Sequence, residues 1–199
     1  MKGLLKKGIE YRRKEWSVPF ILTGLIILLD QISKAYIVAN WPVVGTLIKD
    51  VFDNDILVIY HVRNKAIAFS IGAGFDPAIQ TILFIVLPVG VLVFLIWYYF
   101  NSTEFNRLQR WAIAGIIGGG LGNIVDRIFR SDGVVDFISV KFYGIFGLQR
   151  WPTFNVADAS VVVCCLILLV SMLIPQKAGM QPEELKIDEL KIHEGPSGE

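Results

Sequence analysis

Five amide and carboxylate side chains lie at the ends of long apolar runs: Asn123 and Asp126 in GGGLGNIVDR, Asp136 in VVDF, and Asn155 and Asp158 in FNVAD. A carboxylate next to a membrane-length apolar run is costly unless it is paired, solvated or used, so each is a functional-site candidate. Asp136 and Asp158 are 22 positions apart, and the chain between them can fold back so that they meet. Two carboxylates in contact resist double ionisation and share a proton. One can then accept a proton from water while the other polarises a peptide carbonyl. That is aspartyl peptidase chemistry, which needs neither a metal nor a covalent nucleophile.

The competing chemistries have little support. Cys164 and Cys165 are neighbours inside an apolar run and read as small hydrophobes; no CxxC or Cys/His cluster is present. His61 and His193 fall in different segments, and no serine sits in a G-x-S-x-G elbow. No metal or other cofactor is expected. The residues alone leave two other readings open: charges that stabilise a membrane scaffold or line a transport path, and an enzyme that hydrolyses lipids.

The elements that must position these groups are membrane spans. Hydrophobic residues make up 54% of the 199 and the mean hydropathy is +0.56, more than a soluble core requires. About 20 apolar residues cross the hydrocarbon layer. Four stretches qualify, approximately Val18 to Val38, Ala78 to Phe100, Trp111 to Val125 and Val156 to Ile174. The third is short unless Leu108 to Arg110, or Asp126 and Arg127, lie in the interface. Its glycine-rich AIAGIIGGGLGN suits a helix packed inside a bundle, where small residues let backbones approach. The expected fold is therefore a polytopic α-helical membrane protein, four transmembrane helices carrying a small extracytoplasmic β-rich platform.

The net charge of +1 conceals a basic cluster, Lys2, Lys6, Lys7, Arg12, Arg13 and Lys14. Beside an apolar segment this sets membrane orientation rather than nucleic-acid binding, and with Arg107 and Arg110 it places both termini in the cytoplasm. The first span contains Asp30, Ser33 and Lys34 and lacks a small-x-small cleavage site, so it reads as a retained helix rather than a signal peptide. The expected organisation is a basic amino terminus (1–17), a membrane domain (18–174) with outer loops 39–77 and 127–155, and a polar cytoplasmic tail (175–199). Within the first loop, VVGTLI and ILVIYHV are strand-like and Asp53, Asn54 and Asp55 suit a turn. In the second, Phe137, Phe142, Tyr143, Phe146, Trp151 and Phe154 suit the headgroup boundary. The tail carries a near-repeat, ELKID then ELKIH, and reads as flexible.

DQISK (30–34), RNKAIAF (63–69), GGLGNIVDR (119–127), VVDF (134–137) and FNVADAS (154–160) occur in this order around the four apolar segments. In this the chain resembles the lipoprotein signal peptidases, the type II signal peptidases of bacterial membranes. The resemblance assigns the catalytic pair to Asp136 and Asp158. It implies substrate-binding or dyad-supporting roles for Asn64, Asn123, Asn155, Asp30 and Lys34, and structural roles near the site for Asp126 and Arg127. Asp30 and Lys34, one helical turn apart, could pair, or Asp30 could cap a substrate-facing loop. One departure stands out: Ala66 replaces the family's usual glycine in N-x-G-x-A-F. The implied substrate is a diacylglyceryl-modified prolipoprotein cut immediately before its lipidated cysteine. The partners would be that substrate and membrane lipids, without nucleic acid, around a monomer in the bacterial inner membrane whose active site faces outward.

Overall fold

Four helices are long and apolar enough to cross a membrane: α1 (Phe20–Asn40), α2 (Pro77–Asn101), α3 (Arg107–Phe129) and α4 (Val156–Leu173). The computed structural model describes residues 16–64 and 75–174. The basic cluster up to residue 15, Ala66 with the rest of RNKAIAF after Asn64, and the tail with His193 and its near-repeat lie outside the described residues.

Helix α3 is the hub. Of its most apolar window 56% is buried, against 28%, 11% and 17% for α1, α2 and α4. Its glycines make this possible. A methyl at Gly119 would run into Ala157 O, Ser160 Oγ and Val161 Cγ2 of α4, and one at Gly122 would sit 2.8 Å from Asp30 Oδ2 of α1. The stretch that reads as marginal by hydropathy alone is thus the most enclosed, its small residues replacing bulk with backbone proximity. Gly119→Val is expected to lower the melting temperature in detergent markedly, because the clash is with backbone that cannot yield. Gly24→Val is the control, since nothing lies within 4 Å of a methyl there. Equal melting temperatures for the two variants would contradict this packing.

Helix α3 begins at Arg107, four residues before the expected span. Asn106 Oδ1 accepts from Gln109 N at 2.9 Å and Gln109 Oε1 from Asn106 N at 3.0 Å, a reciprocal capping box that starts the helix within the polar connection. Arg110, expected as a charge of that connection, is buried. It donates to the carbonyls of Tyr99 (3.1 Å) and Ser102 (2.9 Å), and its guanidinium lies 4.3 Å from the Trp16 ring centroid. It closes the carboxyl end of α2, where free carbonyls and the helix dipole favour a cation. Near the other end of α2, a π-helical turn at Ile82–Val86 precedes Pro88, whose missing N–H and ring disrupt the ladder at Phe84.

Three antiparallel strands form the platform in the order β1 (Leu47–Asp50), β2 (Leu57–Asn64) and β3 (Val134–Val140). The β1–β2 turn contains Asp53 and Asp55 at positive φ, and Asp50 accepts from Asp55 N at 2.7 Å. β3 follows α3 through a turn closed by Gly133 at φ 94°. Its pairing with β2 sets Val62 opposite Asp136 and Asn64 opposite Val134. Phe137 is a correction to the headgroup assignment: it is buried with Ile37 and Val135 between the sheet and the end of α1. Tyr143, Phe146 and Trp151 are exposed, and Trp151 packs edge-on against Phe142 at 5.1 Å. His61 is buried in β2 with Nδ1 2.6 Å from Trp41 O.

Candidate active site

Helix α4 starts with its own capping box. Asn155 Oδ1 accepts from Asp158 N at 3.0 Å, and Asp158 Oδ2 accepts from Asn155 N at 3.1 Å. The box fixes Asp158 in the first turn, where the helix dipole favours a carboxylate. The Asn155 amide then reaches β3 and donates to Asp136 Oδ1 at 2.7 Å. One buried residue therefore holds both aspartates, one through its backbone and the other through its side chain.

Each carboxylate has a second donor. Asn64 Nδ2 donates to Asp136 Oδ2 at 3.0 Å, from the last residue of β2. Asn123 Nδ2 donates to Asp158 Oδ1 at 2.7 Å, and Asn123 Oδ1 accepts from Asn155 Nδ2 at 3.1 Å and from Lys34 Nζ at 3.0 Å. Asp136 is 2% exposed. Burial is the main reason its pKa rises to about 7, assisted by the charge of Asp158 and opposed by the Asn64 and Asn155 hydrogen bonds and by Lys34. Near neutrality this carboxyl exchanges a proton, as general acid–base work requires.

Beneath the aspartates lies an ion cluster. Lys34 Nζ is 2.8 Å from Asp30 Oδ2 and 3.0 Å from Asp126 Oδ2, and all three side chains are fully buried. The Asp30–Lys34 pair exists, and Asp30 Oδ1 also accepts from Ala157 N at 3.0 Å, so Asp30 holds the first turn of α4 rather than a loop. Asp126 Oδ2 accepts from Val135 N at 3.1 Å, next to Asp136. Asp126 faces Lys34 and Arg130, whose Nη1 is 3.6 Å from Asp126 Oδ1, and the Arg127 guanidinium lies over the Phe84 ring at 5.2 Å, within electrostatic reach of Asp136, Asp158 and Asp126. Gln31, not singled out in the sequence, donates to Asp126 Oδ1 and to Gly122 O, each at 3.0 Å. Its signal was present in DQISK, as an uncharged polar residue between two others in an apolar helix.

Among the described residues no group of three His, Cys, Asp or Glu is placed to hold a metal ion. The arrangement is two hydrogen-bonded aspartates from different elements, at the junction of a sheet and the start of an apolar helix. The two carboxyls are tied together through Asn155, an arrangement suited to moving protons to and from a water.

Known proteins are similar to this chain in sequence and in fold. The family model described as signal peptidase (SPase) II matches residues 22–174. The lipoprotein signal peptidase of Treponema denticola is 46% identical over 87% of this chain and 97% of its own. That of Treponema pallidum is 41% identical over 83% and 88%, and that of Borrelia turicatae 44% over 76% and 86%. Two solved bacterial membrane enzyme structures superpose with TM-scores of 0.67 (24% identity, 83% of this chain and 94% of that one) and 0.64 (25%, 79% and 93%). The matched span runs from α1 to the end of α4 and includes the capping box, the lysine cluster and both aspartates: the chain belongs to the signal peptidase II family, and is an aspartic endopeptidase of the bacterial inner membrane that crosses the bilayer several times.

Proposed function

We propose that Asp136 and Asp158 are the catalytic dyad with which this chain hydrolyses the peptide bond immediately before a diacylglyceryl-modified cysteine in a prolipoprotein. The observation that supports the dyad most is Asn155, which ties both carboxylates to one rigid helix start. At rest the pair shares one proton, carried by Asp136 because burial favours its neutral form. Asp158 takes a proton from the bound water as its oxygen attacks the scissile carbonyl carbon, and Asp136 gives its proton to the carbonyl oxygen. The tetrahedral diol then collapses: a hydroxyl proton returns to Asp136, and the proton on Asp158 moves to the leaving nitrogen. A carboxylate and a free amine on the lipidated cysteine result, and the dyad is regenerated.

The membrane domain at 18–174 performs this reaction, with the dyad on the outer face and both termini in the cytoplasm. The basic cluster of the first 17 residues supports that orientation. A single chain contributes every side chain of the mechanism, so a monomer suffices. The amides of Asn64 and Asn123 hold the dyad, and the Asp30, Lys34 and Asp126 cluster anchors the two segments that carry it.

The direct test gives purified protein a diacylglyceryl-modified precursor, the unlipidated precursor and a free phospholipid. Cleavage before the cysteine of the lipidated precursor alone is expected. Hydrolysis of lipid without peptide release would overturn the reading. A pH series adds a finer check. Because the productive form keeps a proton on Asp136, kcat/KM should fall as pH rises through about 7. Asn64→Ala removes a hydrogen bond that favours the ionised carboxylate, so its falling limb should lie at higher pH. An unshifted limb would remove Asn64 from the electrostatics of the dyad.

A further inference from the structure

The ion cluster beneath the dyad does not balance on its three fully buried members. Asp30 and Asp126 set two carboxylates against the single cation of Lys34. A buried cluster one cation short would hold a negative potential under the dyad, where weak solvent screening magnifies it. Arg130 supplies the missing charge. It lies one turn after Asp126 at the end of α3, its side chain 23% exposed and its Nη1 buried 3.6 Å from Asp126 Oδ1. Its Nη2 donates to Gln31 Oε1 at 3.3 Å, and the Gln31 amide in turn donates to Asp126 Oδ1 at 3.0 Å. From α1, Gln31 thus holds the guanidinium and the carboxylate together. A cation at the carboxyl end of a helix is favoured by the helix dipole in any case. That alone requires no contact with α1, which Arg130 makes through Gln31.

The cluster meets the catalytic strand at one peptide group. Asp126 Oδ2 accepts from Val135 N at 3.1 Å, and Asp136 follows directly. The charged side chains that act on Asp136 are Asp158 from α4, Lys34 from α1 and Arg127 from α3, and on β2 Arg63 stands opposite Val135. Lys34 is shared, because it acts on Asp136 and also pairs with both cluster carboxylates. Electrostatic potentials add, so what the cluster contributes at Asp136 follows the net charge of all four of its ionic groups.

We propose that Arg130 is a positioning residue of the peptidase, held by Gln31, which neutralises the buried cluster and so sets the pH at which the dyad loses its shared proton. The assignment rests on the dyad reading above and adds to it the residue that tunes the pair through Asp126 and Lys34. Its sign is fixed. Losing a positive charge favours the protonated carboxyl and moves the falling limb of kcat/KM to higher pH, whereas losing a negative charge moves it lower.

The test counts charges. The falling limb of kcat/KM for a lipidated precursor is followed from about pH 5.5 to 9 in the wild type, Arg130→Gln, Asp126→Asn and the double variant. Their clusters are neutral, short of one cation, short of one anion, and neutral again. Arg130→Gln should move the limb up by about half a pH unit, the size expected of one partly screened charge beyond direct contact. At pH 8 it should then keep roughly two to three times the wild-type fraction of its plateau activity. Asp126→Asn, whose amide oxygen can still accept from Val135 N, should move the limb down by a similar amount, and the double variant should restore it. Arg130→Lys keeps the charge and should keep the wild-type limb. The position of a limb does not depend on how much protein is folded, so instability alone cannot produce this order. Should Arg130→Gln fail to fold, Asp126→Asn and the double variant, which leaves Asp30 paired with Lys34, carry the same prediction. Coincident limbs across the variants, or a double variant that stays with either single one, would overturn the proposal and leave the peptidase reading intact. A wild-type profile without a falling limb in this range would overturn it together with the proton on Asp136. Failure of the wild-type protein to cleave the precursor at all would bring down the peptidase reading and this one with it.

Discussion

Asp136→Asn and Asp158→Asn are each expected to reduce kcat by about 10²- to 10⁴-fold, the range associated with loss of general acid–base catalysis. Neither change alters volume, so the packed surroundings survive. The hydrogen bonds do not survive intact. Both oxygens of Asp136 accept, from Asn64 and Asn155, and both of Asp158 accept, from Asn123 and the Asn155 backbone. An amide at either position turns one N–H toward a donor, at about 1–3 kcal/mol for the unmade bond. The kinetic comparison therefore needs melting temperatures alongside it. The expected pattern is a modest loss of stability, retained binding of the lipidated precursor and cleavage near background. Full cleavage by either folded variant would rule out the dyad.

The second large effect concerns stability. Lys34→Met removes the only cation that Asp30 contacts among the described residues and leaves Asp126 with Arg130 at 3.6 Å. Breaking a buried pair by removing one partner costs about 3–5 kcal/mol, because a desolvated charge is left uncompensated. Here Asp30 is left without a cation and Asp126 with only the longer pair to Arg130, and each also performs a structural task. Asp30 holds the Ala157 N–H at the start of α4 and Asp126 holds the Val135 N–H at the start of β3. The variant should accumulate poorly and melt far below the wild type. Adding Asp126→Asn should restore part of the loss by removing one of the two buried negative charges that Lys34 had balanced. Thermal unfolding of the single and double variants gives the coupling directly, and a Lys34→Met protein with wild-type stability and activity would show the cluster to be a spectator.

Much of this architecture is legible in the chain because membrane spans are written in long apolar runs. Their ends are harder to read. Asn106 and Gln109 start α3 through side-chain hydrogen bonds, which hydropathy does not register although the N-x-x-Q pattern is visible. Strand β3 left no strand signal because Val134, Val135, Asp136 and Phe137 are all buried, which removes the two-residue alternation of a half-exposed strand. For the same reason Phe137 looked like an interfacial aromatic until the sheet covered it. At the site, residue types and motifs pointed to the polar residues, but the routing of the hydrogen bonds depends on tertiary placement. No spacing rule connects Asp30 to Ala157 or Asn123 to Lys34 across some 90 to 130 positions. Asp126 and Arg127 are neighbours in sequence and point to different partners, since successive residues on a helix face about 100° apart.

The double grip of Asn155 bears on how an inhibitor of this protein could be evaded. A compound wedged between the aspartates would contact atoms that also initiate α4. Substitutions at 155 or 158 that spoil its fit would remove a helix cap, a loss of about 1 kcal/mol, in addition to the damage to turnover. Escape variants should therefore arise elsewhere, at exposed positions such as Ser131, which lines a cavity that Asn64 also lines. Compounds confined to the space between the two carboxyls should select resistance more slowly than those that extend toward α2.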